Sequence, residues 1–312
     1  MPASFTLTQL RYFVVVARLE HMTHAATELS VTQSTLSSAI SQLEREVDAQ
    51  LFDRLPRRGL RLTDAGRALL TRSLRLLEDA DLLGDSLHDE PTELAGELTV
   101  GIYAPITPFR APTLLHEFEQ RHPRVALTFL EGDQQSLQHA LRTGRCEVAL
   151  MYDLGVGDDY SRRVIDLIPP HVIVPEGHRS AGRAEASLRE FADEPLILLS
   201  IPHTRDYYLS LFARLGIEPK VRHAPLGYET VRSFVALGQG YSVLNHWVEH
   251  GMTYAGTRVV PIALSDDLPP TELLLVRPRN SVPTRKSLAF EQLCVDLYGV
   301  GSGESAPRAP GR

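Results

Sequence analysis

Between Thr32 and Val47 the sequence TQSTLSSAISQLEREV sets Leu36, Ile40, Leu43 and Val47 at helical spacing. The opposite side carries Gln33, Ser34, Ser37, Ser38, Ser41 and Gln42. An uncharged polar row suits one chemistry well. A glutamine amide donates and accepts at a fixed spacing that matches an adenine edge, and a serine hydroxyl reaches bases or phosphates. Taken singly, each Ser reads as well as a cap or solvated surface. As a row on the second of two short helices, it reads better as a groove-contacting face.

The flanks supply the rest of that arrangement. Upstream, a short helical stretch ends near Leu29; Thr23 can cap it, Ala25 and Ala26 allow close helix contact, and Val31 fills the turn. Downstream, Arg54, Arg57, Arg58 and Arg61 surround Gly59 between two β-like runs. The plain alternative is a solvated turn, but arginines beside such a helix suit phosphate or the minor groove. The order is that of a winged helix-turn-helix, all-α with a small β wing. Its expected DNA contacts are Thr23, Thr32, Gln33, Ser34, Ser37, Ser38, Gln42, Arg54, Arg57, Arg58 and Arg61.

A second group of residues could hold a small molecule. Tyr103-Ala104-Pro105-Ile106-Thr107 follows one β-rich run, Ser200 to Arg205 follows another and opens a helix, and Leu226 to Glu229 opens a third. Ligands in open α/β sheets sit beyond the carboxyl ends of strands, against helix N-termini. Thr204 as N-cap with Arg205 would suit a carboxylate or similar anion. Alternatively Thr204 only caps, and Arg205 pairs with Asp206 or Asp153. Glu131 and Asp153 end inner strands and could receive a donor or stay solvated. The candidate set is Ala104, Pro105, Ile106, Thr107, Glu131, Asp153, Ser200, Pro202, His203, Thr204, Arg205 and Tyr228.

Several elements must position these groups. A first helix is expected over about Thr8–Glu20, with Thr8 as N-cap. A long helix opens at Leu62-Thr63-Asp64-Ala65-Gly66 and runs to about His88. Its Leu69, Leu76 and Leu83 recur every seven residues, with Leu70 and Leu77 widening the stripe, which suits pairing with a twin. Beyond Glu97, strands at Leu98–Tyr103, Val125–Leu130 and Glu147–Tyr152 alternate with helices at Pro112–Arg121 and Ser136–Thr143, the pattern of a parallel sheet with crossovers. A second set follows, with strands at His171–Val174, Leu196–Ser200, Val221–His223 and Ser242–Asn245. Its helices lie over Leu188–Ala192, near Tyr207–Leu215 and near Tyr228–Leu237. Glu272–Val276 and Thr284–Tyr298 close the fold, and 300–312 is expected to be disordered.

At 312 residues and 43% hydrophobic content, two or three domains with real cores are expected. No stretch approaches the roughly 20 apolar residues of a membrane span, and no leader is visible, so a cytoplasmic protein without membrane contact is expected. The net charge of −7 argues against non-specific coating of nucleic acid. It does not exclude a focused site: residues 54–75 carry seven arginines against Asp64, and residues 76–93 carry seven acids and no Lys or Arg.

Residues 8–70 resemble the N-terminal domain of LysR-type transcriptional regulators. The resemblance rests on Leu10, Tyr12, Phe13, Ala25, Ala26, Leu29, Val31 to Ser34, Leu36, Ser37, Ile40, Leu43, Glu44, Leu51, Phe52, Arg54 and Leu62 to Gly66. Looser matches continue at Leu98 to Gly101, Phe118 to Pro123, Gly144, Glu147 to Leu150, Val174 to His178 and Val235 to Tyr241. The resemblance implies a C-terminal, two-lobed α/β effector domain like the periplasmic binding proteins. It also implies a homodimer through linker helices and usually a homotetramer on an operator duplex, with RNA polymerase as a further partner such a regulator can touch. The expected division is a DNA-binding domain at 1–62, a linker helix at 63–91, an effector domain at 97–299 and the tail. Lobe I would take about 97–168 plus 270–299, and lobe II about 169–269.

Rival readings find less support. His246 and His250 lie four apart without a third ligand at metal spacing, and Cys146 and Cys294 lack a nearby resolving thiol, so metal or redox sensing on the same fold stays an alternative. No nucleophile elbow, P-loop or full dinucleotide fingerprint suggests an α/β enzyme. A transport solute-binding protein would need an export signal. No cofactor or metal is expected.

Overall fold

The computed structural model describes residues 4–55, 59–85, 94–248 and 250–299. Arg57 and Arg58, the linker's end from residue 86 through His88 to Pro91, and the tail from 300 to 312 lie outside these described residues.

The N-terminal head opens with α1 (Leu7–Leu19). Thr6, not Thr8, caps it: the Thr6 hydroxyl accepts from Gln9 N while Thr6 N donates to the Gln9 side chain at 2.7 Å. This reciprocal box needs Gln or Glu three residues after the cap, and Thr8 has Arg11 there. Helix α2 (Met22–Glu28) is capped by His21 rather than Thr23, whose hydroxyl meets Gln33 Oε1 at 3.1 Å instead. Helix α3 (Gln33–Glu46) is capped by Thr32. Strands β1 (Phe52–Leu55) and β2 (Gly59–Leu62) pair antiparallel as the wing.

The wing root is held at Gly59, where φ is +85° and a Cβ would stand 2.5 Å from Glu20 O. Only glycine allows this approach, and it lets Leu60 N donate to Glu20 O at 2.8 Å. Helix α4 (Asp64–Asp85) is 22 residues long. Leu70 and Leu77, read from sequence as widening a pairing stripe, are buried in the head's core beside Leu10, Phe13 and Leu43. Leu76 and Leu83 remain exposed, at 45% and 71%.

Lobe I contains β3 (Gly96–Tyr103), α5 (Thr107–Arg121), β4 (Val125–Gly132), α6 (Gln134–Thr143), β5 (Val148–Tyr152) and β6 (Tyr160–Ile168). Lobe II contains β7 (His171–Pro175), β8 (Glu185–Ala186), β9 (Pro195–Ile197), α7 (Thr204–Arg214), β10 (Lys220–His223), α8 (Tyr228–Ala236), β11 (Ser242–Leu244) and β12 (Val259–Leu264). The chain then returns to lobe I as β13 (Thr271–Pro278) and α9 (Arg285–Tyr298).

Both sheets are mixed, not parallel throughout. Lobe I has the order β4-β3-β5-β13-β6, in which returning β13 runs antiparallel to β5 and β6. In lobe II, β7 is antiparallel to β11 and β12, and a bridge between Leu196 and Tyr241 joins the parallel pair β9–β10. Strands β6, β8 and β12 were not anticipated. The apolar signal of β6 is broken by Ser161, Arg162, Arg163 and Asp166, and β12 contains Pro261. Helix α5 starts five residues before Pro112, because Pro108 fits the first turn and Pro112 sits inside the helix. The stretch at Leu188 forms only a 3-10 turn ending at Phe191. One apolar core joins β3, β5, β13 and α9, and a second joins β7, β11, α7 and α8.

Candidate nucleic-acid interface and lobe cleft

Helix α3 buries Leu36, Ile40 and Leu43, which forces the polar row outward. Gln33, Ser34, Ser38 and Gln42 are exposed, while Ser37 and Ser41 are half-buried. Thr32 bonds Ser34 and Thr35, and Gln42 bonds Glu46 Oε1 at 3.0 Å, so the row is oriented by its own helix. Thr23, Gln33, Ser37 and Arg54 share a concavity of about 250 Å3 with His21, Met22, Gly59 and Leu60, between the two helices and the wing root. His21 stacks on His24 with ring centroids 4.1 Å apart. His21 gave no sequence signal for this place, because a histidine cap is uncommon. Arg54 and Arg61 are exposed on the wing strands, and Arg61 pairs with Asp53 at 3.2 Å. Glu44 holds the wing in register with α3, accepting Leu51 N at 2.8 Å.

The second site lies where the lobes meet. Asn245 follows β11, and its Nδ2 stands 3.1 Å from Ile168 O, 2.9 Å from Tyr207 Oη and 3.2 Å from Thr271 Oγ1. Both crossing strands are thus tied to lobe II. Tyr103, at the end of β3, shares a hydrogen bond across the lobes with the Thr204 hydroxyl. Phe109 of α5 stacks on His246 at 4.4 Å and meets Tyr228 edge-on at 5.1 Å. Tyr152, at the end of β5, stacks on His246 at 6.0 Å. Tyr228 donates to His246 O at 2.6 Å. Arg110, buried, pairs with Asp166 at 3.1 Å and lies over the Tyr298 ring.

Electrostatics make this junction neutral and hydrogen-bonding. Burial, helped by Arg110 and His171, holds the His246 pKa well below its ordinary range, so its imidazole is neutral at pH 7. Burial pushes the Tyr103 phenol up to about 12 and Tyr152 well above its usual value, so both keep their protons. Tyr152 Oη, His246 Nε2, Gln134 Oε1 and Asn245 Oδ1 are buried without a hydrogen-bond partner. Unsatisfied buried groups cost about 1–3 kcal/mol each, so these four atoms carry unused hydrogen-bonding capacity at the junction.

The expected small-molecule residues divide between this junction and its surroundings. Ala104, Pro105 and Ile106 form one 3-10 turn, and Thr107 bonds Tyr103 O at 3.3 Å. Thr204 is the first residue of α7 rather than its cap; His203 takes the cap position at φ +66° and makes no side-chain cap bond. Thr204 joins Tyr103 because it is buried, and Tyr228 joins Phe109. Ser200 is half-buried, while Pro202, His203, Arg205 and Glu131 are exposed. Asp153 pairs with Arg162 at 3.5 Å and accepts Val156 N, not Arg205. Phe109, Tyr152, His246 and Asn245 went unnamed for this role. Applying the strand-end rule to β5 and β11 would have found the last three.

Among the described residues no group of three or more His, Cys, Asp or Glu could hold a metal ion. Cys146 and Cys294 are both buried. Burial drives the Cys146 thiol to about 12 and Cys294 well above its usual value, against thiolate chemistry. Among the described residues no helix is long and apolar enough to cross a membrane.

Known proteins share both halves. The family described as "Bacterial regulatory helix-turn-helix protein, lysR family" matches residues 7–67, and "LysR substrate binding domain" matches residues 91–298. The crystal structure of HinK, a LysR family transcriptional regulator from Pseudomonas aeruginosa, is 30% identical with TM-score 0.63, covering 95% of this chain and 99% of that one. A full-length OxyR variant from the same organism is 25% identical with TM-score 0.69 over the same shares of each chain, 95% and 99%. A Mycobacterium leprae protein named "Probable hydrogen peroxide-inducible genes activator" is 30% identical over 223 residues, 69% of this chain and 70% of its own length. With its polar-faced helix beside a wing and its two α/β lobes closed on a hydrogen-bonding junction, the chain belongs to the LysR family of transcriptional regulators.

Proposed function

We propose that the chain reads a two-fold symmetric operator as a homodimer, arranged as a tetramer on DNA, and that a small molecule at the lobe junction sets its output. The observation that carries the reading is the unobstructed polar row of α3 beside a basic wing. Gln33, Ser34, Ser37, Ser38 and Gln42 take base edges; Thr23, Thr32, Arg54, Arg61 and the wing-tip Arg57 and Arg58 take backbone. Exposed Leu76 and Leu83 support pairing of α4 with a second copy. Such a regulator acts in the cytoplasm, where RNA polymerase is available, and binds its effector without turnover.

The groups at the junction favour an effector that is flat, partly apolar and hydrogen-bonding, with Phe109 and His246 as faces and Tyr152, Gln134 and Asn245 as polar partners. An anion finds less support, because Arg110 is committed to Asp166 and Arg205 is exposed. Guest binding there repacks the Phe109–His246 contact and changes the lobe angle, which α4 passes to the head.

Selection of bound duplexes from a random library tests the reading head. It should return an imperfect palindrome. Gln33→Ala should relax one position per half-site by about 1–3 kcal/mol, and Arg61→Ala should weaken every duplex and lower the salt slope by about one. Recovery of no preferred sequence would sink the proposal. A thermal-shift screen of small aromatics, amides and carboxylates against the full chain and Tyr152→Phe tests the junction.

A further inference from the structure

A larger cavity lies elsewhere, at the joint between the DNA-reading head and lobe I. It measures about 610 Å3 and is walled by α4, the end of α6, the β5–β6 loop and the β13–α9 loop. We propose that this joint is a second small-molecule site, selective for an amphipathic organic carboxylate. Its size falls within the roughly 300–1,000 Å3 of small-ligand pockets. Leu70, Leu74, Leu141 and Val282 supply an apolar wall.

Charge selects the ligand class. Arg142 lines the cavity and makes one hydrogen bond, to Tyr160 Oη at 2.9 Å. The Arg279 side chain also lines it and has no ion pair among the described residues. The acids on the same wall are mostly committed. Asp64 holds Arg67, Asp158 faces Arg162 at 3.6 Å, and Glu147 accepts from the Thr284 hydroxyl at 2.5 Å. Burial also raises the Glu147 pKa, against the Thr284 hydroxyl and Lys286, which lower it. Arg142, which holds only the Tyr160 hydroxyl, and Arg279 therefore face one carboxylate, Asp159, that has no ion pair among the described residues.

Position gives the site its consequence. At one end Leu70 rests on Gly144, whose absent Cβ would stand 2.9 Å from Leu70 Cδ2. At the other, buried Glu78 accepts from Arg285 N at 2.7 Å and from Lys286 Nζ at 3.0 Å. A guest between these fastenings bears on the head and on lobe I together. The exposed leucines lie on another face, since Thr71 and Leu76 are about 140° apart around α4. A paired second helix therefore leaves the cavity open to small molecules.

Calorimetric titration of the full chain with hexanoate and phenylacetate, against hexanamide and phenylacetamide, tests the site. The expected result is saturable carboxylate binding, at least tenfold weaker for the amides. Arg142→Gln should weaken it at least tenfold, Thr71→Trp should abolish it by filling the cavity, and His246→Phe should leave it unchanged. No saturable binding of either acid, equal binding of acids and amides, or indifference to both Arg142→Gln and Thr71→Trp overturns the proposal. Binding lost in His246→Phe but kept in Thr71→Trp also overturns it, while leaving the reading of the lobe junction intact.

Discussion

Glu78→Ala is the most informative perturbation of the joint. Glu78 and Lys286 are 6% and 7% exposed, and the carboxylate takes bonds from Lys286 Nζ, from Arg285 N at the start of α9, and from Arg75 at 3.2 Å. Removing it leaves a buried ammonium unpaired and takes an acceptor from the first N–H groups of α9, which Thr284 still caps. Breaking a buried ion pair typically costs about 3–5 kcal/mol. Relief comes from Glu147, which the Lys286 charge already reaches, so about 3 kcal/mol is expected rather than the upper figure. Glu147 should also ionise more readily, because Glu78 raises its pKa at present. The assay is urea unfolding of the full chain, read by fluorescence and far-ultraviolet dichroism, for Glu78→Ala, Lys286→Met and the Glu78→Met/Lys286→Met pair. Each single variant should lose about 3 kcal/mol, and the double variant should recover most of it, because no charge is then stranded. Losses below about 1 kcal/mol for both single variants, or additive losses in the double variant, would refute the reasoning.

Two further outcomes follow from other parts of the molecule. Gly59→Ala should cost about 1–3 kcal/mol and weaken DNA binding, because φ +85° and the 2.5 Å approach to Glu20 O leave no room for a methyl group. Unchanged unfolding midpoints and operator affinity would remove Gly59 as the wing's anchor. The buried histidines predict acid sensitivity: burial holds His171 down to about 3 and His246 well below its usual value. Below pH 6.5 the unfolded chain binds protons that the folded chain refuses, so their contribution declines as pH falls from 6.5 towards about 3. Glu147 and Glu291, whose pKa values are raised, oppose this at the acid end. His246→Phe should therefore flatten the slope of stability against pH by up to about 1.4 kcal/mol per unit below pH 6, and an unchanged slope counts against a neutral His246.

The DNA-reading half was legible because its signals are local. The spacing of Leu36, Ile40 and Leu43 defines the buried side of α3 and thereby the exposed side. The caps were misplaced by two residues at α1 and α2, because Thr8 and Thr23 are good cap residues but have Arg11 and Ala26 three positions on, while Thr6 has Gln9. The lobes were legible as alternating strands and helices, but not in full. Strand β6 hides behind its arginines, and the antiparallel placement of β13 depends on a chain that leaves for lobe II and returns.

Sequence alone determined that a polar-faced helix follows a short helix and precedes a basic hairpin, since helical periodicity and capping act over a few residues. It also determined that leucines recur along one long helix. Only the tertiary structure decided which of those leucines serve the head's core and which stay exposed, because α1 packs along one face of α4. It alone brought Tyr103, Phe109, Tyr152 and His246 together, and set Glu78 against Lys286 across 208 positions of sequence. Contacts at such separations are selected by whole-domain packing, in which burial and hydrogen bonding are satisfied together, and no short window of residues records that choice.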